Sequence, residues 1–567
     1  MALAVAVVVA VAEPEPESPS DPFEPDPPSV AEPPGPVRPS IFPSVVSPAL
    51  NELAVSSPVS SSRPSLPPHA ESPNPKHKPS RRMGVRITGV GPVERAPWGR
   101  GVRGCYDFPT MSTARADVIV IGAGLSGLAA ARRLEAAGRR VVVLEARERV
   151  GGRSLTQELD GYPVDLGGQW LGPTQDHALA LAAELGIETY AQYERGRKVM
   201  ELGGRRSTYR GLLPWIGVAG LAELAVRVAQ LELGARRVPL HDPMQAKDAA
   251  ALDHRSVHAW LDERVRGDRV RAVLEIATQM VFAGEPRDLS LLWFLFYLHS
   301  GGGFIRLTSV GGGAQGLRLR GGAQPLSQGL AARLAEPVVL GCPVRAVLHE
   351  GDDVVVHTDA RRFTARHAIV AVPPALAAGI DLGPARTEAR RTAEAGMPMG
   401  SVIKCNVAYR RAFWREAGLS GESVSDGDPI RATFDGCATD LSYCGLVVFV
   451  IADAAKAFGT LAPEERQRRV VEHLVRLFGP DAAEPVGYLD QDWSREPWSG
   501  GCYVGLAKPG VLAEVGNALR EPAGRIRFAG TETAQRWCGY FDGAIEAGQR
   551  AADEVLAAQR DEGDGRV

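Results

Sequence analysis

The stretch from Asp117 to Arg153, DVIVIGAGLSGLAAARRLEAAGRRVVVLEARERVGGR, limits what this chain can fold into more than any other part of it. Val118 to Ile121 are β-branched and apolar, as a parallel strand buried on both faces requires. Gly122, Gly124 and Gly127 follow as G-x-G-x-x-G. The first permits a tight turn, the second lets a pyrophosphate approach the backbone, and the third lets a helix lie close on the sheet. Leu125 to Ala137 predicts that helix, stopped by Gly138, with its free N–H groups and positive dipole end turned to a phosphate. Val141 to Leu144 predicts the next strand. Glu145 stands at its carboxyl end, where an acid accepts hydrogen bonds from ribose hydroxyls. A glycine fingerprint alone is weak; with the strand before it, the helix after it and the acid beyond, it specifies a dinucleotide site.

Arg147 and then Gly151-Gly152-Arg153 extend the motif, and a second glycine pair with an arginine suits a second contact with the same pyrophosphate. This extension resembles the FAD-binding start of the glutathione-reductase-like flavoproteins and favours FAD over NAD. The expected fold class is α/β: a Rossmann-like FAD-binding domain of that type, with a second α+β substrate domain of mixed sheet and helices.

With 567 residues the chain has room for several domains. A net charge of −3, not segregated into blocks, gives no reason to expect nucleic acid. Seven cysteines without CxxC spacing argue against a disulfide framework and a zinc site, so no metal is expected and a reducing, cytoplasmic setting is the default. Residues 1–110 differ from the rest, and their Pro/Ser-rich part lacks the apolar content that ordering requires. Three readings remain open for them. Translation begins at Met111, or the segment is a disordered extension, or the Ala/Val run at residues 2–12 is a secretion signal. The last is disfavoured by the missing basic residues before the run.

Farther along, YPVDLGGQWLGPTQD (Tyr162 to Asp176) places Gly167-Gly168 after a short strand, with Trp170 offering an aromatic face. Gly211 to Gly234 reads as packed helices of the second domain, Asp253 to Phe282 as helical, and Leu289 to His299 as a strongly apolar helix. A helix is expected over Pro325–Leu334, then strands at Val338–Leu340, Val344–Glu350, Val354–Thr358 and Ala368–Val372. Gly396 to Trp414 reads as one long alternating strand, Ala462–Phe478 as an ordinary solvated helix, and the chain closes on an amphipathic helix to about Arg560. The expected FAD-binding domain is therefore discontinuous, over residues 114–190, 318–393 and 496–560. The substrate domain takes 191–317 and 394–495.

GAGLSG, GGR, DLGG with GPTQ, LWFL, GSVIKC, FW, SGGCY and FAGTET followed by W, GY, GA, EAG and RAA occur in this order from about Ala116 to Ala558. On these motifs the chain resembles the flavin-containing amine oxidase family, and within it the monoamine oxidases above all. The resemblance implies FAD-dependent oxidative deamination: amine, O2 and water give aldehyde, ammonia and H2O2. It implies that Lys404 holds a water at flavin N5, and that Tyr503 and Tyr540 flank the amine with electron-rich ring faces. Trp493 would lie beside the isoalloxazine, and Trp170 stands where the family more often has tyrosine. Cofactor contacts would come from Gly122, Gly124, Ser126, Gly127, Glu145, Arg147, Gly152, Arg153, Gly168 and Gln169, with Val344 on the adenine side and Glu532 hydrogen-bonding nearby. Phe541 would begin a helix whose N-terminus faces the N1/C2=O edge, where negative charge develops. Cys502 occupies the position from which monoamine oxidases bond the flavin 8α-carbon through a thioether. The partners implied are a small amine and O2, with no membrane anchor, since the C-terminus lacks an apolar run of about 20 residues. A homodimer is among the assemblies left open. Alternatives are a polyamine, diamine or L-amino acid oxidase, for which Glu285 or Arg536 could meet the second charge, and a flavin-binding protein without turnover.

Overall fold

The computed structural model describes residues 115–564, with side chains to 562. The readings made for residues 1–110 and for a start at Met111 lie outside the described residues.

The glycine fingerprint forms the centre of a six-stranded sheet. Its order runs Val344–Glu350, Asp353–Thr358, Arg362–Val370, Ala116–Ile121, Val141–Leu144. Ala116–Ile121 is parallel to both neighbours, Val141–Leu144 and Arg362–Val370. Arg362–Val370 shares one edge between two partners: its first half pairs antiparallel with Asp353–Thr358, its second half parallel with Ile526–Phe528. Strands far apart in sequence thus meet at the carboxyl ends where a dinucleotide binds. The helix Leu125–Ala136 follows the turn, and Gly122 carries φ +101°. A Cβ on Gly127 would fall 1.9 Å from the Gly122 carbonyl oxygen, so only glycine lets helix and strand approach this closely.

A second, seven-stranded sheet runs Gly487–Asp492, Val402–Tyr409, Cys444–Ile451, Ala432–Asp435, Leu419–Ser425, Arg197–Leu202, Arg205–Tyr209. A three-stranded sheet of Trp170–Leu171, Leu317–Leu319 and Thr189–Ala191 accompanies them. The helices Val218–Ala235, Val257–Arg264, Asp268–Phe282, Leu291–Ser300 and Phe304–Thr308 share one apolar cluster. The fold is α/β with a mixed second sheet and helices, as expected. Among the described residues no helix is long and apolar enough to cross a membrane.

Several expected elements differ. The strand expected over Gly396–Trp414 is confined to Val402–Tyr409, and every residue in it is buried, so the alternation does not appear as inside and outside. Both of its faces are covered by protein. Val338–Leu340 is not a strand: only Val339 bridges, parallel to Leu144. Gly211–Gly234, read as packed helices, is a loop and the single helix Val218–Ala235, because Gly217 at φ +88° and Pro214 delay helix entry. The helix Pro463–Phe478 is more than a solvated surface element. Its inner face buries Val470, Leu474 and Leu477, together with His473, whose Nε2 bonds Glu201 at 2.7 Å.

The C-terminal helix Phe541–Asp564 packs along Leu125–Ala136, and the two meet at Gly548, where a Cβ would lie 2.0 Å from the Ser126 carbonyl oxygen. In an open helix interior, glycine to alanine stabilises by about 1 kcal/mol. Here the sign should reverse: Gly548→Ala should destabilise by about 1–3 kcal/mol through overpacking, read as a lower Tm. A raised Tm would mean that the two helices part freely.

Candidate active site

Strand Val402–Tyr409 organises the site through its period of two. Ile403, Cys405, Val407 and Tyr409 join the apolar cluster under helix Pro463–Phe478. Lys404 and Asn406 therefore point the other way, onto the Asp165–Gln169 turn. Lys404 is only 3% exposed, and its Nζ donates to the Gly167 carbonyl and to Gln169 Oε1, both at 2.8 Å. Asn406 Nδ2 donates to the Asp165 carbonyl at 3.1 Å. Burial pulls the Lys404 pKa down to about 7, opposed by the Asp165 carboxylate. Burial likewise pushes the Asp165 pKa up, with Lys404 opposing. That carboxylate is steadied by the Thr156 hydroxyl at 2.6 Å and the Ala323 N–H at 2.9 Å, both on Oδ1.

Aromatic rings surround the lysine. Nζ lies 5.3 Å from the Trp170 ring and 5.7 Å from the Phe449 ring. Trp170 packs edge-on to Phe434 at 5.1 Å, and Phe449 meets Tyr503 at 6.4 Å. Trp170 is fixed by its Nε1, which donates to Gln192 Oε1 at 2.8 Å, while Gln192 Nε2 donates to the Asp435 carbonyl at 2.8 Å. Tyr540 is held at 5.0 Å from Trp537 and 6.1 Å from Tyr297. Burial raises the Tyr503 and Tyr540 phenols above their ordinary range, so both stay neutral.

Cys502 and Trp493 lie in one apolar cluster with Leu155, Leu166 and Val402. Trp493 is 1% exposed, and its Nε1 donates to the Leu166 carbonyl at 2.8 Å. Burial pushes the Cys502 thiol up to about 12, Glu532 adds to this, and Arg153, Arg147 and Lys404 oppose it. The glycines before Cys502 serve a backbone approach as well: a Cβ on Gly501 would lie 2.3 Å from the Gly400 carbonyl oxygen.

At the other end, Glu145 is held by its own turn. Oε2 accepts the Ala123 N–H at 2.8 Å and Oε1 the Arg147 N–H at 3.0 Å. Arg147 Nη2 in turn donates to Ser499 Oγ at 2.8 Å. Gly124 caps helix Leu125–Ala136 with no side-chain hydrogen bond, and Gly124 and Gly152 face each other at close backbone range. Ser126 Oγ accepts the Gly530 N–H at 2.9 Å, tying this turn to the C-terminal segment. Val344 begins its strand in the apolar cluster that also holds Leu144 and Ile121. The Phe541 ring lies on Gly168, where a Cβ would fall 2.5 Å from the ring tip.

The Arg153 guanidinium donates to Glu532 at 2.6 and 3.2 Å and to the Tyr503 carbonyl at 2.8 Å. Glu532 is 3% exposed, and an uncompensated carboxylate there would be costly, so it captures the nearest cation. Arg536 is exposed on the turn before Trp537. Glu285 has both oxygens engaged, by Gln279 Nε2 at 2.9 Å and the Asp453 N–H at 3.2 Å. Sequence reasoning missed Asp165, Gln192, Phe434 and Phe449. Asn406 was missed too; Asp165 stood inside the motif next to Gly167-Gly168, and alternation from Lys404 is the signal that could have found Asn406. Gln192 carried no local signal.

These residues fit a flavin dinucleotide on two observations. The fingerprint helix begins without a side-chain cap, and Gln169 Nε2 is buried with no hydrogen-bond partner in the protein. Such an amide calls for a bound acceptor.

The sequence pattern of the family described as flavin containing amine oxidoreductase matches residues 125–556. A probable flavin-containing monoamine oxidase A of Dictyostelium discoideum is 36% identical over 445 residues, covering 77% of this chain and 97% of that protein. A putative flavin-containing monoamine oxidase of Mycobacterium tuberculosis is 40% identical over 78% of this chain and 96% of its own length. Among solved structures, cyclohexylamine oxidase from Brevibacterium oxydans superposes with a TM-score of 0.76 at 32% identity, covering 79% of this chain and 100% of that one. Putrescine oxidase bound to putrescine gives a TM-score of 0.74 at 32% identity, with the same coverage.

Lys404 yields a pH test. Its folded pKa of about 7 lies below the ordinary 10.5, so between these values the unfolded chain holds more protons than the folded one. The Lys404 contribution to unfolding free energy therefore rises with pH across that window and is most unfavourable below it. In flavin-free protein, the stability of native chain minus Lys404→Met should climb as pH rises from about 7 to 10.5. A flat difference would show that the lysine is hydrated rather than buried.

Proposed function

The chain belongs to the flavin-containing amine oxidoreductase family, and we propose that it oxidises a small apolar monoamine to an imine, which water hydrolyses to aldehyde and ammonia, while O2 becomes H2O2. The bound FAD supplies the acceptor for the hydride from the amine α-carbon and the route of its electrons to oxygen. The observation that carries the reading is Lys404, buried, drawn toward neutrality, and framed by Gln169, Trp170 and Phe449. A protein that merely stored a flavin would need no such lysine.

In this reading Gly122, Gly124, Ser126, Gly127 and Gly152 hold the diphosphate, Glu145 the ribose with Arg147 steadying it, and Val344 borders the adenine. Gly168, Gln169, Trp493, Phe541 and the Arg153–Glu532 pair shape the isoalloxazine end. Tyr503 and Tyr540 orient the amine, and Lys404 holds a water over the ring. The FAD-binding part takes residues 114–190, 318–393 and 496–560 and the substrate part 191–317 and 394–495, a division along which the two large sheets draw their strands. Two observations favour a monoamine over a diamine or amino acid: the wall is aromatic, and both Glu285 oxygens are already bonded.

Cys502 would hold the flavin through the proposed thioether to its 8α-carbon; forming that bond would remove one proton from the thiol and one from the 8α-methyl group, and the two electrons released would be left on the flavin ring for O2 to take up as H2O2. Burial disfavours the thiolate, but Arg153, Arg147 and Lys404 favour it, and attachment has to occur only once in the life of the enzyme.

Three measurements test this. Purified yellow protein should be bleached anaerobically by apolar monoamines and less well by diamines or amino acids. Tyr540→Leu should lower kcat/KM about tenfold with FAD content unchanged; unaltered kinetics would leave the tyrosine a packing residue. After acid precipitation the native pellet should stay yellow and the Cys502→Ala pellet turn colourless. A colourless native pellet would end the thioether claim while leaving amine oxidation standing.

A further inference from the structure

Two of the cysteines meet across a hairpin. Strands Ala432–Asp435 and Cys444–Ile451 pair antiparallel, with Asp435 opposite Leu446. The ladder runs on past Asp435: the Gly436 N–H donates to the Gly445 carbonyl at 2.8 Å and the Ala438 N–H to the Tyr443 carbonyl at 2.9 Å. Cys437 therefore stands directly opposite Cys444, in a pair without hydrogen bonds of its own between two that have them. Such pairs bring their Cα atoms to about 4.5 Å, inside the roughly 4.4–6.8 Å that a disulfide spans. Directly opposed residues share a face of the sheet, and both thiols lie in the apolar cluster under helix Pro463–Phe478. They come within hydrogen-bonding reach of each other, and both are free thiols.

The same two strands carry Phe434 and Phe449 on their other face, in the aromatic wall of the amine site. The backbone ties the cysteine pair to that wall as well. The Cys437 carbonyl accepts from Arg318 Nη1 at 3.2 Å, and Arg318 sits opposite Trp170 in the three-stranded sheet. The Cys437 N–H donates to Asp435 Oδ1 at 3.0 Å. Beyond the pair the hairpin turns through residues 439–442, all exposed. The two thiols, in residues 3% and 6% exposed, thus lie just beneath the surface at the hairpin end.

From this juxtaposition we infer that Cys437 and Cys444 form an oxidation site, a dithiol that hydrogen peroxide closes reversibly to a disulfide. That peroxide is released on the other face of these strands rests on the proposed function; the site itself does not. The Cys444 sulfur, nearer the exposed turn, attacks one peroxide oxygen. An S–O bond forms, the O–O bond breaks, and the thiol proton leaves with the departing oxygen as water. The Cys437 sulfur then attacks Cys444: the S–S bond forms, the S–O bond breaks, and the second thiol proton leaves with hydroxide as water. The two sulfurs give up two electrons and the peroxide takes them. Burial raises both thiols above their ordinary range, Asp435 adds to this, and Arg415 opposes it at each. Oxidation is therefore slow, driven by repeated exposure rather than by a reactive thiolate. Once the first sulfur is oxidised its partner is already in place, so the disulfide outruns further oxidation.

Peptide mapping of the full-length, flavin-loaded protein tests this. The tryptic peptide Ala432–Lys456 carries both cysteines and no other. After reduction with dithiothreitol, its removal and a dose of H2O2, this peptide should resist alkylation and weigh about 2 Da less than its reduced form. Dithiothreitol should then restore both thiols. Cys342 is buried to a similar degree but bonds Thr358 rather than a thiol, and it should still be alkylated at the same dose. In Cys437→Ser, dimedone should label Cys444 as the stranded sulfenic acid. Two alkylated thiols in the native peptide, sulfinic acid in place of the disulfide, equal oxidation of Cys342, or an unlabelled Cys444 in the variant would each overturn the inference. A second arm separates the site from the source: turnover of benzylamine in air should close the same peptide, and catalase should prevent it. Closure by added peroxide without closure in the presence of benzylamine would leave the dithiol standing and count against the proposed function instead.

Discussion

The ion pair between Arg153 and Glu532 holds the site together. Three segments distant in sequence converge on it: the GGR turn through Arg153, the SGGCY segment through the Tyr503 carbonyl and the Gly505 N–H, and the GTET turn through Glu532. Burial disfavours the charged guanidinium, yet the Glu532 carboxylate outweighs it and the Arg153 pKa ends above its ordinary value. Such a pair adds little net stability compared with well-packed apolar residues, and its worth lies in direction. A methyl group would tolerate several packings, whereas a guanidinium shared between a carboxylate and a carbonyl tolerates few. Gly530, two residues before Glu532, donates to Ser126 in the fingerprint helix, so the nucleotide end and the amine end take their relative position from one connected set of bonds.

The second constraint is register. Lys404 opposes Phe449 on one neighbouring strand and Gln491 on the other. A slip of one residue would turn Ile403 or Cys405 toward Gln169 and leave the lysine inside the apolar cluster under helix Pro463–Phe478. The apolar residues at 403, 405, 407 and 409 therefore fix the lysine as firmly as its own hydrogen bonds do. This also explains why the strand misled a reading by alternation. Its second face is not solvent but the Asp165–Gln169 turn, so polar residues there are buried partners rather than surface residues.

Elements whose signal is local were legible in the sequence. The strand–glycine–helix–strand–acid unit is specified by a few contiguous residues, and its helix was misplaced only at its last residue. The apolar helix Leu291–Ser300 and the closing helix were equally plain. What escaped depends on residues far away. Gln192 matters because Trp170 and the Asp435 carbonyl come to it, and nothing around position 192 foretells either. Val339 fails to extend into a strand because its only partner is the end residue Leu144. The Arg153–Glu532 pair was not foreseen because the carboxylate lies 379 residues later.

Burial acts on Lys404 and Asp165 in one direction, toward the neutral form of each. Lys404 is drawn down to about 7 and Asp165 upward. An amine entering this space leaves the same water and meets the same penalty, so its ammonium form is disfavoured just where oxidation requires the free base. A fully charged lysine would oppose a residual ammonium by direct repulsion, and a lysine near neutrality does so far less. In the proposed reaction the rings of Trp170, Phe449, Tyr503 and Tyr540 would supply attraction to the cation on its way in, and this would weaken once the proton has left. On the proposed function, recognition and deprotonation of the amine would follow from burial and ring faces together.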